Sequence, residues 1–170
     1  MEILALSDKS FRIKGKQTTL VINPMDKSAV FDAAVVFDIP QGVLKLKDET
    51  LTIDGPGEYE VGGLKITGLR LDEAIAYIFS VDDLRIILLD NRTLAKFHAK
   101  LPDVNLVVIM VVSDDDLSNA TNVAGSAVLY YGEKAEEVVT KFIKEGVSRT
   151  NKYSVTKDKL PTEVQQILLV

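Results

Sequence analysis

The chain contains no cysteine and a single histidine, His98. The first absence removes disulfides, thiolate nucleophiles and cysteine-ligated zinc together. The second removes every metal centre built on several imidazoles. An excess of basic residues is also missing: 20 Lys and Arg stand against 25 Asp and Glu, a formal net charge of −5. A generic phosphate-binding surface needs clustered excess Lys and Arg, so nucleic acid is not an expected partner. No long apolar run occurs. The longest, Leu106 to Val112, has seven residues, against the roughly 20 of a membrane-spanning helix. The opening Met1-Glu2-Ile3-Leu4-Ala5-Leu6-Ser7-Asp8-Lys9 has neither a basic start nor a long apolar core, so it does not read as a signal peptide. No membrane partner is expected, and the cytoplasm is the default compartment.

What is present is the composition of a globular protein. Apolar residues make up 46% and charged residues 26% of 170 positions, which argues against a disordered chain and for one domain spanning 1–170. Neither a linker nor a fixed-period repeat divides it. The first two thirds reads as short strands separated by turns. Residues 2–6 are apolar apart from Glu2; Phe11 to Lys14 and Thr18 to Ile22 flank Gly15-Lys16 as a hairpin that Asn23-Pro24 ends. Ala33 to Phe37 is a short buried strand, and Gly42 to Lys47 and Thr50 to Ile53 are two weaker ones. In Asp54-Gly55-Pro56-Gly57-Glu58-Tyr59-Glu60-Val61-Gly62-Gly63, side chains alternate along an extended chain until Gly62-Gly63 supplies a tight turn. Gly55-Pro56-Gly57 is a turn and not a phosphate-gripping loop, since no Lys-Ser/Thr follows and no helix opens there. Ala74 to Val81 and Leu84 to Leu89 form another hairpin around Asp82-Asp83.

Helices are expected later. Leu94, Phe97 and Leu101 recur at helical spacing after Asn91 or Thr93 as N-cap, and Pro102 ends the element. His98 falls inside this helix beside Leu94 and Leu101, a boundary position, with no partner that would make it a general base. Leu106 to Val112 is a core strand. Ser113 with Asp114, Asp115 and Asp116 reads as an N-cap and an acidic first turn; the same acids do not match an EF-hand loop. Ala127 to Tyr131 is a further strand. Glu133 to Glu145 carries the stripe Ala135, Val138, Val139, Phe142, Ile143 of an amphipathic helix that Gly146 would stop. Tyr153 to Thr156 and Val164 to Val170 close the chain as strands. Strands followed by strand–helix units point to an α/β or α+β layered sandwich.

Several stretches together resemble a known family. Met1-Glu2-Ile3, Ser10 to Gly15 and Val21-Ile22-Asn23-Pro24 look like the start of metallo-β-lactamase-fold proteins. Ile53 to Gly63 is similar to the central stretch of one branch, the ascorbate-6-phosphate-lactonase-like group of predicted zinc-dependent hydrolases. Val155 to Pro161 and the last apolar strand look like its C-terminal hairpin. The resemblance implies a four-layer αββα sandwich, here shortened. It also implies zinc at the sheet edges, held first by a His-x-His-x-Asp-His motif after a buried strand. Here Ala33 to Phe37 is followed by Asp38-Ile39-Pro40-Gln41-Gly42, with no His. Leu69 to Glu73 supplies no third His, Tyr130-Tyr131-Gly132 stands where the last His would follow, and Asp90 or Asn91 occupies the neighbourhood of the bridging Asp.

The family's metal-bound water would therefore lack its metal, because hydroxide at neutral pH depends on a metal lowering the water pKa to about 7. The expected function is a non-catalytic, metal-free member with no cofactor, more readily a binding or assembly module than an enzyme. Asp38, Asp90, Asn91, Tyr130 and Tyr131 form the expected vestigial cleft, the tyrosines either filling the old metal space or packing elsewhere. Its partners would be a second copy, paired for instance through Ile167 to Val170, an active relative, or a small molecule in the residual cleft. The rival reading is a hydrolase with a metal site rebuilt from carboxylates such as Asp38 and Asp90.

Overall fold

The computed structural model describes residues 1–25, 30–37, 50–115, 117–123, 125–143 and 145–170. Asp38, Asp116 and the strand expected over Gly42 to Lys47 lie outside the described residues. Short apolar segments with alternating or continuous burial pair into two sheets. The first contains β1 (Glu2–Ala5), β2 (Phe11–Lys14), β3 (Thr19–Ile22), β4 (Ala33–Val35), β5 (Leu51–Ile53) and, from far along the chain, β13 (Lys152–Ser154). Their order is β13-β1-β2-β3-β4-β5, antiparallel as far as β3 and parallel from β3 to β5. The Phe11–Lys14 hairpin partner is Thr19–Ile22, as its turn chemistry predicts.

The second sheet contains β6 (Gly57–Val61), β7 (Leu64–Leu71), β8 (Ala74–Val81), β9 (Leu84–Asp90), β10 (Leu106–Met110), β11 (Ala127–Tyr131), β12 (Val147–Thr150) and β14 (Gln165–Leu169). Strands β6 to β9 form an antiparallel meander. Gly62 and Gly63 at φ 55° and 81°, and Asp82 and Asp83 at φ 51° and 63°, make two of its turns, the left-handed geometry that a two-residue hairpin demands. Beyond β9 the sheet is parallel, in the order β9-β10-β11-β14-β12. Every residue of β10 and of β11 is buried, because both faces are covered and a parallel strand then needs no polar alternation.

One face of the second sheet packs on the first. Ile3, Phe11, Ile13, Leu20 and Ile22 meet Ile66, Phe79, Ile86, Leu88, Val108 and Leu129 in a single core. The other face packs under helices α1 (Asn91–Phe97) and α2 (Ala135–Phe142), where Leu94, Ala135, Val138 and Val139 cover Ile87, Leu89, Val107, Ile109 and Val128. Among the described residues both α-helices lie on the second sheet, and neither covers the outside of the first. None is long and apolar enough to cross a membrane.

Several expectations change. The terminal strand β14 lies between β12 and β11, so it is an interior strand and not an edge for a second subunit. It also does not form a hairpin with the preceding strand: β13 pairs with β1 in the other sheet. β12 has no clear apolar pattern in Val147-Ser148-Arg149-Thr150 and was not expected. The second helix is shorter than its stripe, since Ile143 is already extended (φ −117°, ψ 93°) and the chain must turn back to deliver β12. No α-helix follows Ser113 among the described residues; its hydroxyl donates to Asp115 Oδ2 at 2.7 Å, a local bond that competes with helix initiation. Asp114 instead pairs with Lys134 at 2.9 Å, which holds its carboxyl below the ordinary range.

The crossing from the first sheet to the second passes over Gly68. A Cβ there would stand 2.7 Å from the Gly55 carbonyl oxygen and 2.9 Å from Pro56 Cα. Both obstacles are backbone. Gly68→Ala should lower stability by about 1–3 kcal/mol, as overpacking does, measurable as a lower denaturation midpoint. An unchanged midpoint would mean the Gly55-Pro56 crossing moves freely.

Candidate functional site

A cavity of about 750 Å3 opens at the end of the sandwich where β4, β5 and β9 finish and the β7–β8 turn stands. Its wall takes Val36 and Phe37 from the chain after β4, Asp54 from the crossing, Leu71 to Ile75 from the turn, Tyr77 from β8, Asp90 from the end of β9, and Arg92, Thr93, Lys96 and Phe97 from α1. The mixture is apolar rings and aliphatic side chains with four carboxylates against two cations.

Phe37 is held there by a residue far away in sequence terms. Asn23 is fully buried with φ 49°, a left-handed conformation that Asn tolerates better than most residues. Its carboxamide accepts the Phe37 N–H at 2.7 Å and donates to the Phe37 carbonyl at 2.9 Å and the Lys9 carbonyl at 3.1 Å. The Asn23-Pro24 pair reads locally as a strand stop. The clamp on Phe37 requires knowing that β3 and β4 are parallel neighbours.

Asp90 lines the cavity and is 7% exposed. Its Oδ1 accepts the Thr93 N–H at 2.7 Å, making it the N-cap of α1, and its Oδ2 lies 3.4 Å from Arg92 Nη2. The expected caps Asn91 and Thr93 are thus corrected by one position or more, since Asp90 has the extended backbone (φ −88°, ψ 163°) a cap needs. Asn91 does not face the cavity. It is fully buried, donates to the Ser113 carbonyl at 3.0 Å and accepts the Val112 N–H at 3.0 Å, which moors the chain leaving β10.

The two tyrosines part company, as neighbours on a strand must. Tyr130 points to the helical side and donates to Gln166 Oε1 at 2.6 Å; burial pushes its pKa far above the ordinary value. Tyr131 points between the sheets, its ring edge-on to Phe11 with centroids 4.8 Å apart. The parallel register sets Asp90, Met110 and Tyr131 side by side on this inner face. Two strand spacings separate Asp90 from Tyr131, about 10 Å. The five expected cleft residues are therefore not gathered in one cleft: Asp90 lines the cavity, Tyr131 shares its sheet end, Asn91 and Tyr130 face elsewhere, and Asp38 lies outside the described residues. His98 is half-buried at the start of a 3₁₀ turn after α1, off the cavity wall.

The zinc that the family resemblance implies does not fit these residues. A catalytic zinc takes about three N, S or carboxylate ligands around one open position. The inner row at this sheet end offers one carboxylate, already committed to a helix cap and an arginine, beside a thioether and a phenol. Among the described residues no group of three or more His, Asp or Glu side chains is close enough to hold a metal ion.

No protein-family model matches the chain, and no curated protein matches it by sequence. Among solved structures, it superimposes on the crystal structure of a protein from Thermotoga maritima assigned as a Zn-dependent hydrolase of the metallo-β-lactamase superfamily. The match has a TM-score of 0.68, covers 99% of this chain and 98% of that one, and shows 14% sequence identity. With two packed sheets, few helices and a parallel half-sheet ending at Asp90, Met110 and Tyr131, the chain has the metallo-β-lactamase fold.

Proposed function

We propose that this chain is a single-domain, non-catalytic and metal-free variant of the metallo-β-lactamase fold that serves as a binding or assembly module. The row Asp90, Met110, Tyr131 carries this reading. Where metal ligands would converge, Met110 and Tyr131 fill the space with packed side chains, and both oxygens of Asp90 have partners within the chain. A carboxylate already balanced by a guanidinium and a backbone N–H has little left to offer a cation. The remaining cavity beside α1 is the natural place for a ligand, since concave sites of this size that combine apolar walls with polar groups bind small molecules. A second copy or an active relative remains the proposed macromolecular partner.

Metal analysis of protein purified without chelator, joined to thermal denaturation with Zn2+, Mn2+ and Mg2+, tests the proposal. Substoichiometric metal and an unchanged Tm are expected, because only an ion that binds the native state raises stability. Asp90→Ala should lose one helix cap, about 1 kcal/mol, and leave the metal content unaltered. Stoichiometric metal that disappears in Asp90→Ala would establish the rival reading of a rebuilt carboxylate site.

A further inference from the structure

Tyr77 is the cavity residue whose placement packing alone does not explain. It is 1% exposed, with its ring edge-on to Phe37 at 6.2 Å and stacked on Phe79 at 6.4 Å. Its hydroxyl makes no hydrogen bond to any described residue, yet it is not among the polar atoms sealed from solvent. In a cavity wall, that leaves the hydroxyl facing the cavity. Buried phenols ordinarily have a partner. Burial first, then the neighbouring Tyr59 and Asp54, push the Tyr77 pKa up to about 12, so the group is a neutral O–H at physiological pH.

The charges around it are one-sided. Asp54, Asp72 and Glu73 line the same cavity and pair with no cation among the described residues. Arg92 is engaged with Asp90, which leaves Lys96 as the one cation among the described wall residues without a carboxylate partner. An anion entering here would meet a surplus of like charge, which works against binding. A hard divalent ion such as Ca2+ or Mg2+ would need a shell of six or more oxygens, whereas the walls at Phe37, Leu71 and Ile75 are apolar. An organic cation satisfies both halves of this lining. We infer that the cavity binds a small molecule carrying a protonated amine on an apolar body, the ammonium donating to the Tyr77 hydroxyl oxygen and the Asp54 carboxylate while the body lies on Phe37 and Ile75. This deepens the binding-module reading and rests on it.

Three phenylalkyl probes of similar size test it by 1H–15N NMR titration: phenethylamine, 2-phenylethanol and 3-phenylpropionate. Phenethylamine should give saturable shifts at Asp54, Glu73 and Tyr77 with a Kd on the order of 1 mM, as suits a ligand of nine heavy atoms. The alcohol should bind about tenfold more weakly and the carboxylate weaker still. Tyr77→Phe, which deletes a hydroxyl that bonds no described residue, should keep its Tm and lose about fivefold or more in amine affinity. Asp54→Asn should lose about tenfold, in line with a hydrogen bond to a charged group. The inference is overturned if the carboxylate binds as well as the amine, if no probe shifts any signal at about 20 mM, or if both variants keep full amine affinity. Added Zn2+ separates the two proposals: stoichiometric zinc that displaces the amine overturns the metal-free reading, while loss of charge discrimination without zinc uptake overturns the organic-cation inference alone.

Discussion

Tyr131→Ala should lower the stability of this protein by about 3–5 kcal/mol, the range for deleting a large aromatic from a packed core. The ring is almost fully buried between the sheets against Phe11, and it stands at the end of β11, where the sandwich would otherwise have to close over empty space. Cavity and transfer contributions add at such a site because the flanking strands β10 and β14 are tied by parallel hydrogen bonds and cannot collapse inward. Denaturant titration with an unchanged slope is the measurement. A loss under about 1 kcal/mol, typical of surface positions, would show that Tyr131 does not fill this space, and the picture of a sheet end packed shut would fall with it.

Asn23→Ala comes next, with an expected loss of about 3 kcal/mol or more. The substitution strips the buried Phe37 N–H and carbonyl, and the part-buried Lys9 carbonyl, of their side-chain partner, at about 1–3 kcal/mol for each fully buried group left unsatisfied. It also places a Cβ-bearing residue without a polar side chain at φ 49°, where the left-handed conformation costs about 1–2 kcal/mol. Asn23→Gly removes the second penalty and keeps the first, so it should be the milder change by about 1 kcal/mol. Equal stabilities for the two variants would mean that the backbone conformation relaxes when the carboxamide is lost. Because Phe37 forms part of the cavity wall, both variants should also weaken phenethylamine binding.

The strands were legible wherever the apolar pattern and a turn agreed. The hairpin of Phe11–Lys14 with Thr19–Ile22, the Gly62-Gly63 turn and the Asp82-Asp83 turn all occur where their residues place them. Val147–Thr150 escaped because it shows no clear apolar pattern; its pairing with Gln166 to Leu169 makes it a strand. The helix expected from Ser113 and its acids failed for a related reason: the same side chains that cap helices also bond locally to one another or to Lys134. Asp90 was singled out for its position after a strand, yet its role as a cap for Thr93 follows from the backbone angle at the end of β9, which no spacing rule supplies.

Composition alone settled what chemistry is missing. A chain with no thiol and one imidazole cannot assemble a multi-histidine or thiolate site in any fold, since folding rearranges side chains but does not create them. Alternation along each strand likewise settled which residues share a face, because that is a property of neighbouring bonds. Partnership is another matter. That Asn23 grips Phe37, that Tyr130 bonds Gln166, and that Tyr77 and Asp54 line one cavity are meetings between segments 14 to 36 residues apart or on different strands. Such meetings exist only once two sheets have paired in register and packed, so the cavity and its one-sided charge belong to the tertiary structure.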